Sequence, residues 1–243
     1  MRVMYGCIAA ILIGFTPTVS SAFSLEPMTA ILTPWGAGRA LTFRIKNQEA
    51  ERVALRFRVV TRSIGPEEQE FNTPADELFV VQPMRLFLER GATASATVQW
   101  KGPEKVDLER SYRLIAEKFP QDAISVGDGD SGVGLVDSFS ASLYVGSPIF
   151  TPELLVFVPG SLGPNGGKGY SVEIRNVGRR HVIAAGARVV ITHPSAPPLS
   201  SEELKHLSGT NYLPGMSRRI FIPRSEASVG RAYEAKVEYA KTY

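Results

Sequence analysis

Past residue 22 the dominant period of the chain is two. In Leu41-Thr42-Phe43-Arg44-Ile45-Lys46 the apolar residues face one way and Thr42, Arg44 and Lys46 the other. Val53-Ala54-Leu55-Arg56-Phe57-Arg58-Val59 repeats the pattern, as do Thr93–Trp100 and Tyr112–Lys118. Alternation of this kind predicts half-buried antiparallel strands. The separators are turn formers: Trp35–Gly38, Gly65-Pro66, Arg90-Gly91, Gly102-Pro103 and Pro120. Only Ser200–Leu207 reads as helical, one short turn capped by Ser200 or Ser201 with acids in its first turn. Strands at this spacing predict an all-β chain of β-sandwiches. In Gly146–Pro152 two prolines interrupt strand pairing, and the pattern then restarts in Leu154–Val158. It continues in Tyr170–Ile174, Val182-Ile183, Ala187–Thr192, Arg218–Ile222 and Tyr233–Tyr239. The expected division is residues 23–147, a linker at 148–152, and residues 153–243, with a partner-binding cleft between two sandwiches.

Residues 1–22 change the picture of where the chain works. Arg2 opens a basic segment, Val3–Phe15 is apolar, Pro17 breaks it, and Ser20-x-Ala22 supplies the small residues of a cleavage site. That is the pattern of a secretory signal peptide, and the apolar stretch is short for a transmembrane anchor. Cys7 sits inside the apolar stretch, not at its end, which disfavours a lipid anchor. It is the single cysteine of 243 residues, so cleavage leaves no cysteine and no disulfide framework. No later run is apolar enough for membrane insertion. Twenty-seven basic against 24 acidic residues give +3, too little to point to nucleic acid.

Catalytic and metal chemistry is thin. His181, His193 and His206 are scattered, with no acid framing and no nucleophile elbow. Gly127–Gly132 superficially suggests a calcium loop but lacks the closing Glu, so it is read as a flexible loop. Gly160–Gly169 fails the phosphate-loop spacing at both ends, and Pro164-Asn165-Gly166 is a hairpin signal. Trp35 and Trp100 are read as core and rim residues. No catalytic residue, cofactor or metal is expected.

Val81-Gln82-Pro83, then Arg85-Leu86-Phe87-Leu88-Glu89-Arg90-Gly91 and Ala96-Thr97-Val98, resembles a conserved stretch of the PapD-like periplasmic chaperones, with Arg90 where they carry proline. Glu109–Pro120 resembles a second signature of that family in spacing and ending, and Ser24–Thr29 sits where its first strand begins. The resemblance covers the whole chain after residue 22. It implies two immunoglobulin-like sandwiches in an L or boomerang arrangement with an interdomain cleft. It also implies a periplasmic chaperone that caps pilus or fimbrial subunits by donor-strand complementation and hands them to an outer-membrane usher. On the same resemblance the free protein is a candidate to cap itself as a dimer. The short span from Pro120 to Val133 and the missing disulfide fit the family's short-loop type.

The implied donor strand is Ser131–Val145. Its odd positions carry Val133, Leu135, Asp137, Phe139, Ala141, Leu143 and Val145. Val133 and Leu135, beside the Gly/Asp loop, are read as donated knobs, and Phe139, Ala141 and Leu143 as core of their own sandwich. The family's carboxylate-binding Arg and Lys fall on Thr29 and Ser142, neither of them basic. Arg39, Arg44, Arg56, Arg58 and Arg113 are candidate replacements, each with an ordinary solvated strand face as the plainer reading. Glu109 matches the family's acidic interdomain position, whereas the arginine expected near Gly146 is missing. The alternative is a secreted two-sandwich adhesion module holding a peptide or glycan in its cleft.

Overall fold

A computed structural model describes residues 23–119, 138–163, 165–192, 199–200 and 202–242. Residues 1–22, the Gly127–Gly132 segment, Val133, Leu135, Asp137 and His193 lie outside the described residues. The strands are β1 (Phe23–Glu26), β2 (Thr29–Leu32), β3 (Ala40–Asn47), β4 (Val53–Thr61), β5 (Ser63–Ile64) and β6 (Glu70–Phe71). There follow β7 (Phe79–Gln82), β8 (Arg85–Leu88), β9 (Thr93–Trp100), β10 (Arg110–Lys118) and β11 (Ser138–Val145). Then come β12 (Leu154–Leu162), β13 (Lys168–Asn176), β14 (Val182–Ile191), β15 (Asn211–Tyr212), β16 (Ser217–Pro223), β17 (Ala232–Tyr233) and β18 (Ala235–Thr242).

They form two β-sandwiches. In the first, sheet β1-β3-β9-β7 faces sheet β2-β11-β10-β4-β8. In the second, β16-β13-β12-β17 faces β15-β14-β18. Alternation sets the faces: Phe43 and Ile45 are buried with Arg44 and Lys46 exposed, and Leu55, Phe57 and Val59 are buried with Arg56 and Arg58 exposed. Phe79, Trp100 and Tyr112 meet edge-on or tilted at the heart of the first core. Trp35 is exposed. The second core gathers Val158, Tyr170, Val172, Ile174, Val189 and Tyr212.

Two strands change sheets. The chain pairs with β3 through Glu26, and after Pro27, which has no N–H to donate, it pairs parallel with β11. The expected strand Tyr233–Tyr239 is likewise split at Glu234, with β17 on β12 and β18 on β14. The expected Val182-Ile183 and Ala187–Thr192 are one strand, β14, bulged between Ala185 and Arg188, where Gly186 takes φ +60°. β12 runs past its expected end at Val158, because Val158 and Pro159 leave the β13 ladder and pair with β17 instead. Glu202–Leu207 forms hydrogen-bonded turns, in keeping with the one short turn expected there. The cap is present: Glu203 N–H donates to Ser200 Oγ (3.3 Å), and the Glu203 carboxylate accepts from Ser200 N–H (2.8 Å). Among the described residues β5 and β6 form a two-stranded sheet of their own, and the chain after β6 bridges back to β4 at Val60–Pro74.

Candidate functional site

β11 is paired with β10 along its whole length, Ser138 to Val145. On its other side β2 covers only Ser142 to Val145. The edge over Ser138–Ala141 therefore carries no strand among the described residues. Ser142 N–H donates to Met28 O (2.9 Å) and Gly146 N–H to Leu32 O (3.0 Å), so the even-numbered amides point toward this side. Those of Ser138 and Ser140 thus face the open edge. An uncovered row of strand amides is a template for one more strand. The odd side chains point the other way, into their own core. Ala141, Leu143 and Val145 are buried, and Phe139 packs edge-on against Phe23 at 4.6 Å.

The outer face of the same sheet is organised in cross-strand rows. Thr29 of β2 is opposite Ser142, Ser142 opposite Arg113 and Arg113 opposite Val60. Two rows further on, Ser138 is opposite Glu117, and Glu117 is opposite Arg56. Thr29 is exposed and Ser142 half-buried, and they are direct neighbours. Among the arginines that could stand in for the missing basic pair, Arg113 is the one beside them, its Nη1 donating to Ser142 Oγ (3.0 Å). Arg56 and Arg58 are engaged with Glu117, at 2.6 and 3.4 Å, and Arg39 with Glu104 at 3.1 Å. Arg44 lies on β3, in the opposite sheet, with its residue exposed.

Arg113 is itself occupied. Its Nε and Nη2 donate to the two oxygens of Glu70, at 3.0 and 2.9 Å, a bidentate fork. Arg62 Nε adds a third donor to Glu70 Oε2 at 3.1 Å. The hydrogen bond from Arg113, with the charges of Arg113 and Arg62, holds the Glu70 carboxyl down to about 2 despite the opposing effect of burial. Glu70 comes from β6, so a carboxylate from the β5–β6 hairpin lies on the face that carries Ser142.

The two sandwiches meet beside this cluster. Tyr144, the next outer-face residue on β11, packs with Leu213, Met216 and Ile64. Its hydroxyl accepts from Arg62 Nη1 (3.2 Å) and from Asn211 Nδ2 (2.6 Å), and its ring stacks on His181 at 3.8 Å and 8°. Glu109 is buried here with His181: Oε1 accepts the His181 backbone N–H at 2.9 Å and lies 2.6 Å from Nδ1. Asn176 shapes the turn that delivers His181, donating from Nδ2 to Arg180 O and Tyr212 O and accepting from Gly178 N–H. Gly178 is required there, since a Cβ would collide with the Glu153 amide. The hairpin also reaches across, with Glu68 2.5 Å from Arg218 of β16.

Thus the structure brings Thr29, Ser142 and Arg113 into one row and sets Glu109 at the junction, a short way along the same sheet. Phe139 and Ala141 face the core beneath the open edge. Residues that sequence reasoning missed are Glu70, Arg62, Tyr144 and, above all, His181, which was weighed only as a catalytic or metal residue. Where the arginine near Gly146 was expected to partner Glu109, a histidine from the second sandwich does so.

These features define a class: a two-sandwich protein with one incomplete strand edge next to the junction. Solved structures that share the two-sandwich fold include fimbrial chaperones. The class 5 fimbriae chaperone CfaA is 13% identical with a TM-score of 0.55, over 90% of this chain and 100% of that one. The E. coli chaperone DraB is 14% identical with a TM-score of 0.52, over 90% and 96%. A chain from the chaperone–tip adhesin complex of CFA/I fimbriae biogenesis is 13% identical with a TM-score of 0.56, over 90% and 99%. No protein-family model and no curated protein matches the chain. The likeness is one of fold, and the chain has the two-domain β-sandwich fold of these chaperones.

Proposed function

We propose that this chain is a periplasmic chaperone that caps pilus or fimbrial subunits by lending them a strand and delivers them to an outer-membrane usher. The observation that carries the reading is the open edge of β11 at Ser138–Ala141, beside the cross-strand row Thr29–Ser142–Arg113 near the junction of the two sandwiches. An incomplete subunit exposes unpaired edges that aggregate, and a paired strand satisfies them. Val133 and Leu135, which precede this edge in the chain, are the donated side chains. Fully burying each contributes roughly 1.5–3 kcal/mol. A subunit strand running parallel to β11 meets β2 at Thr29 and has to end there. Its terminal carboxylate then lies beside Arg113, which takes over the anchoring that Thr29 and Ser142 cannot provide as cations. The work is done by backbone pairing and groove filling, without catalytic residues, nucleotide or metal. That the neighbours in fold are named as fimbrial chaperones, one of them with a tip adhesin, supports the same reading.

The test is co-expression with a candidate pilus or fimbrial subunit that carries its own signal peptide. Val133→Asp with Leu135→Asp is expected to abolish co-purification of the subunit. Undiminished recovery would refute the donor assignment.

A further inference from the structure

The bidentate Arg113–Glu70 contact has the geometry of carboxylate recognition, yet it is made within one chain. Glu70 presents both oxygens to Nε and Nη2 of Arg113, and Arg62 closes over the second oxygen. Ser142 Oγ takes the remaining direction at Nη1. A planar guanidinium filled on these sides has little left for an incoming anion. The carboxylate that fills it stands on a short two-stranded hairpin that continues from β4. β5 and β6 are two residues each and pair with one another as a sheet of their own. Phe71, next to Glu70, is 57% exposed, so at this position the strand is held by its backbone pairing with Ser63 and not by side-chain burial. The hairpin is tethered at its tip by Glu68 to Arg218, and Glu68 adopts φ +73°, a conformation an L-residue holds only under constraint. Arg218 Nε and Nη1 are buried without a hydrogen-bond partner, so even this tether is incompletely satisfied.

We propose that Glu70 is a built-in competitor: it occupies the Arg113–Arg62 fork in the free protein, and the β5–β6 hairpin must release it before a subunit's carboxylate can bind there. This inference rests on the chaperone reading and adds the regulation of its anchor. Exchange of one carboxylate for another leaves the arginines paired in both states, so neither state strands a charge. The fork is therefore kept from binding stray anions, while a subunit that also pairs along β11 has the additional contacts to displace Glu70. The cost appears as a reduced affinity, by the fraction of time the fork is vacant.

The experiment follows the Arg Nε–Hε resonances of Arg113 and Arg62 by NMR while acetyl-Val-Ser-Val-Ser-Val is added, as free acid and as amide. Glu70→Gln is expected to shift both resonances before any peptide is added. The free acid is then expected to bind Glu70→Gln about tenfold more tightly than wild type, with Glu70→Asp between them and the amide moving neither arginine. Equal affinity for wild type and Glu70→Gln, or no response of Arg113 to the free acid in Glu70→Gln, overturns the inference. If acid and amide perturb the Ser138 and Ser140 amides equally, the competitor role fails while strand lending stands. Failure of strand lending itself would show in the Val133 and Leu135 co-purification instead.

Discussion

Glu109 and Glu70 both bring a carboxylate to the region where the two sandwiches meet, in opposite surroundings. Glu109 is 3% exposed and its partner His181 1%, and the same oxygen also takes a backbone N–H. Glu70 keeps 28% of its side chain exposed and Arg113 21%, and it sits on a hairpin that no sandwich sheet includes. Breaking the first contact leaves a buried polar group that water cannot reach. Opening the second exposes groups that water, or another carboxylate, can satisfy. A buried joint and a half-exposed ion pair thus both border β10, one at Glu109 just before its first residue and the other at Arg113.

The largest expected effect is on the joint. Glu109→Ala strands the His181 side chain and its backbone N–H, and is expected to lower stability by about 3–5 kcal/mol, read by urea unfolding. A loss below about 1 kcal/mol would mean that the joint behaves like the exposed fork and the contrast fails. Next comes Tyr144→Phe, which keeps the ring on His181 but removes the acceptor for Arg62 and Asn211. It is expected to cost about 1–3 kcal/mol by the same measurement, with the Glu109–His181 contact unchanged.

The fork gives a smaller effect with a pH signature. The Glu70 carboxyl is lowered from 4.5 to about 2 by Arg113 and Arg62, so its contribution is complete above pH 4.5 and disappears as pH falls toward 2. Because the pair is partly exposed, wild type should exceed Glu70→Gln by only about 1 kcal/mol at neutral pH. The gap should close between pH 4.5 and 2. A gap that stays constant over that range would show that Glu70 does not act as the ionised partner. Smallest is Thr29→Ala with Ser142→Ala, expected to weaken subunit binding by about 0.5 kcal/mol in all, the low end for neutral hydrogen bonds, with little change in folding stability. An unchanged dissociation constant would take the two hydroxyls out of the anchor.

Much of the fold was legible because most strands are half-buried and write their orientation into the alternation, as at Phe43-Arg44-Ile45-Lys46. Failures fell where one residue breaks the period: the bulge at Gly186, the sheet change at Glu234, and the ladder switch at Val158-Pro159. Each depends on pairing with a distant strand, which local pattern does not encode. The site was legible in outline only. Arg39, Arg44, Arg56, Arg58 and Arg113 look alike in the sequence, and only register places Arg113 beside Ser142. Glu109 could be singled out by resemblance, but His181, 72 residues away on another sandwich, could not. A signal was present for Glu70, an acid just after the Gly65-Pro66 turn, yet nothing local ties it to an arginine 43 positions on.

The most direct test of strand lending is amide hydrogen exchange at Ser138 and Ser140, free and in complex with a co-purified subunit. Lending the β11 edge predicts that both amides exchange readily in the free protein and at least about 100-fold more slowly in the complex, while Leu143, already within the sheet, changes little. Unaltered exchange at Ser138 and Ser140 in a fully formed complex would contradict the account, because the subunit would then be held by some other surface.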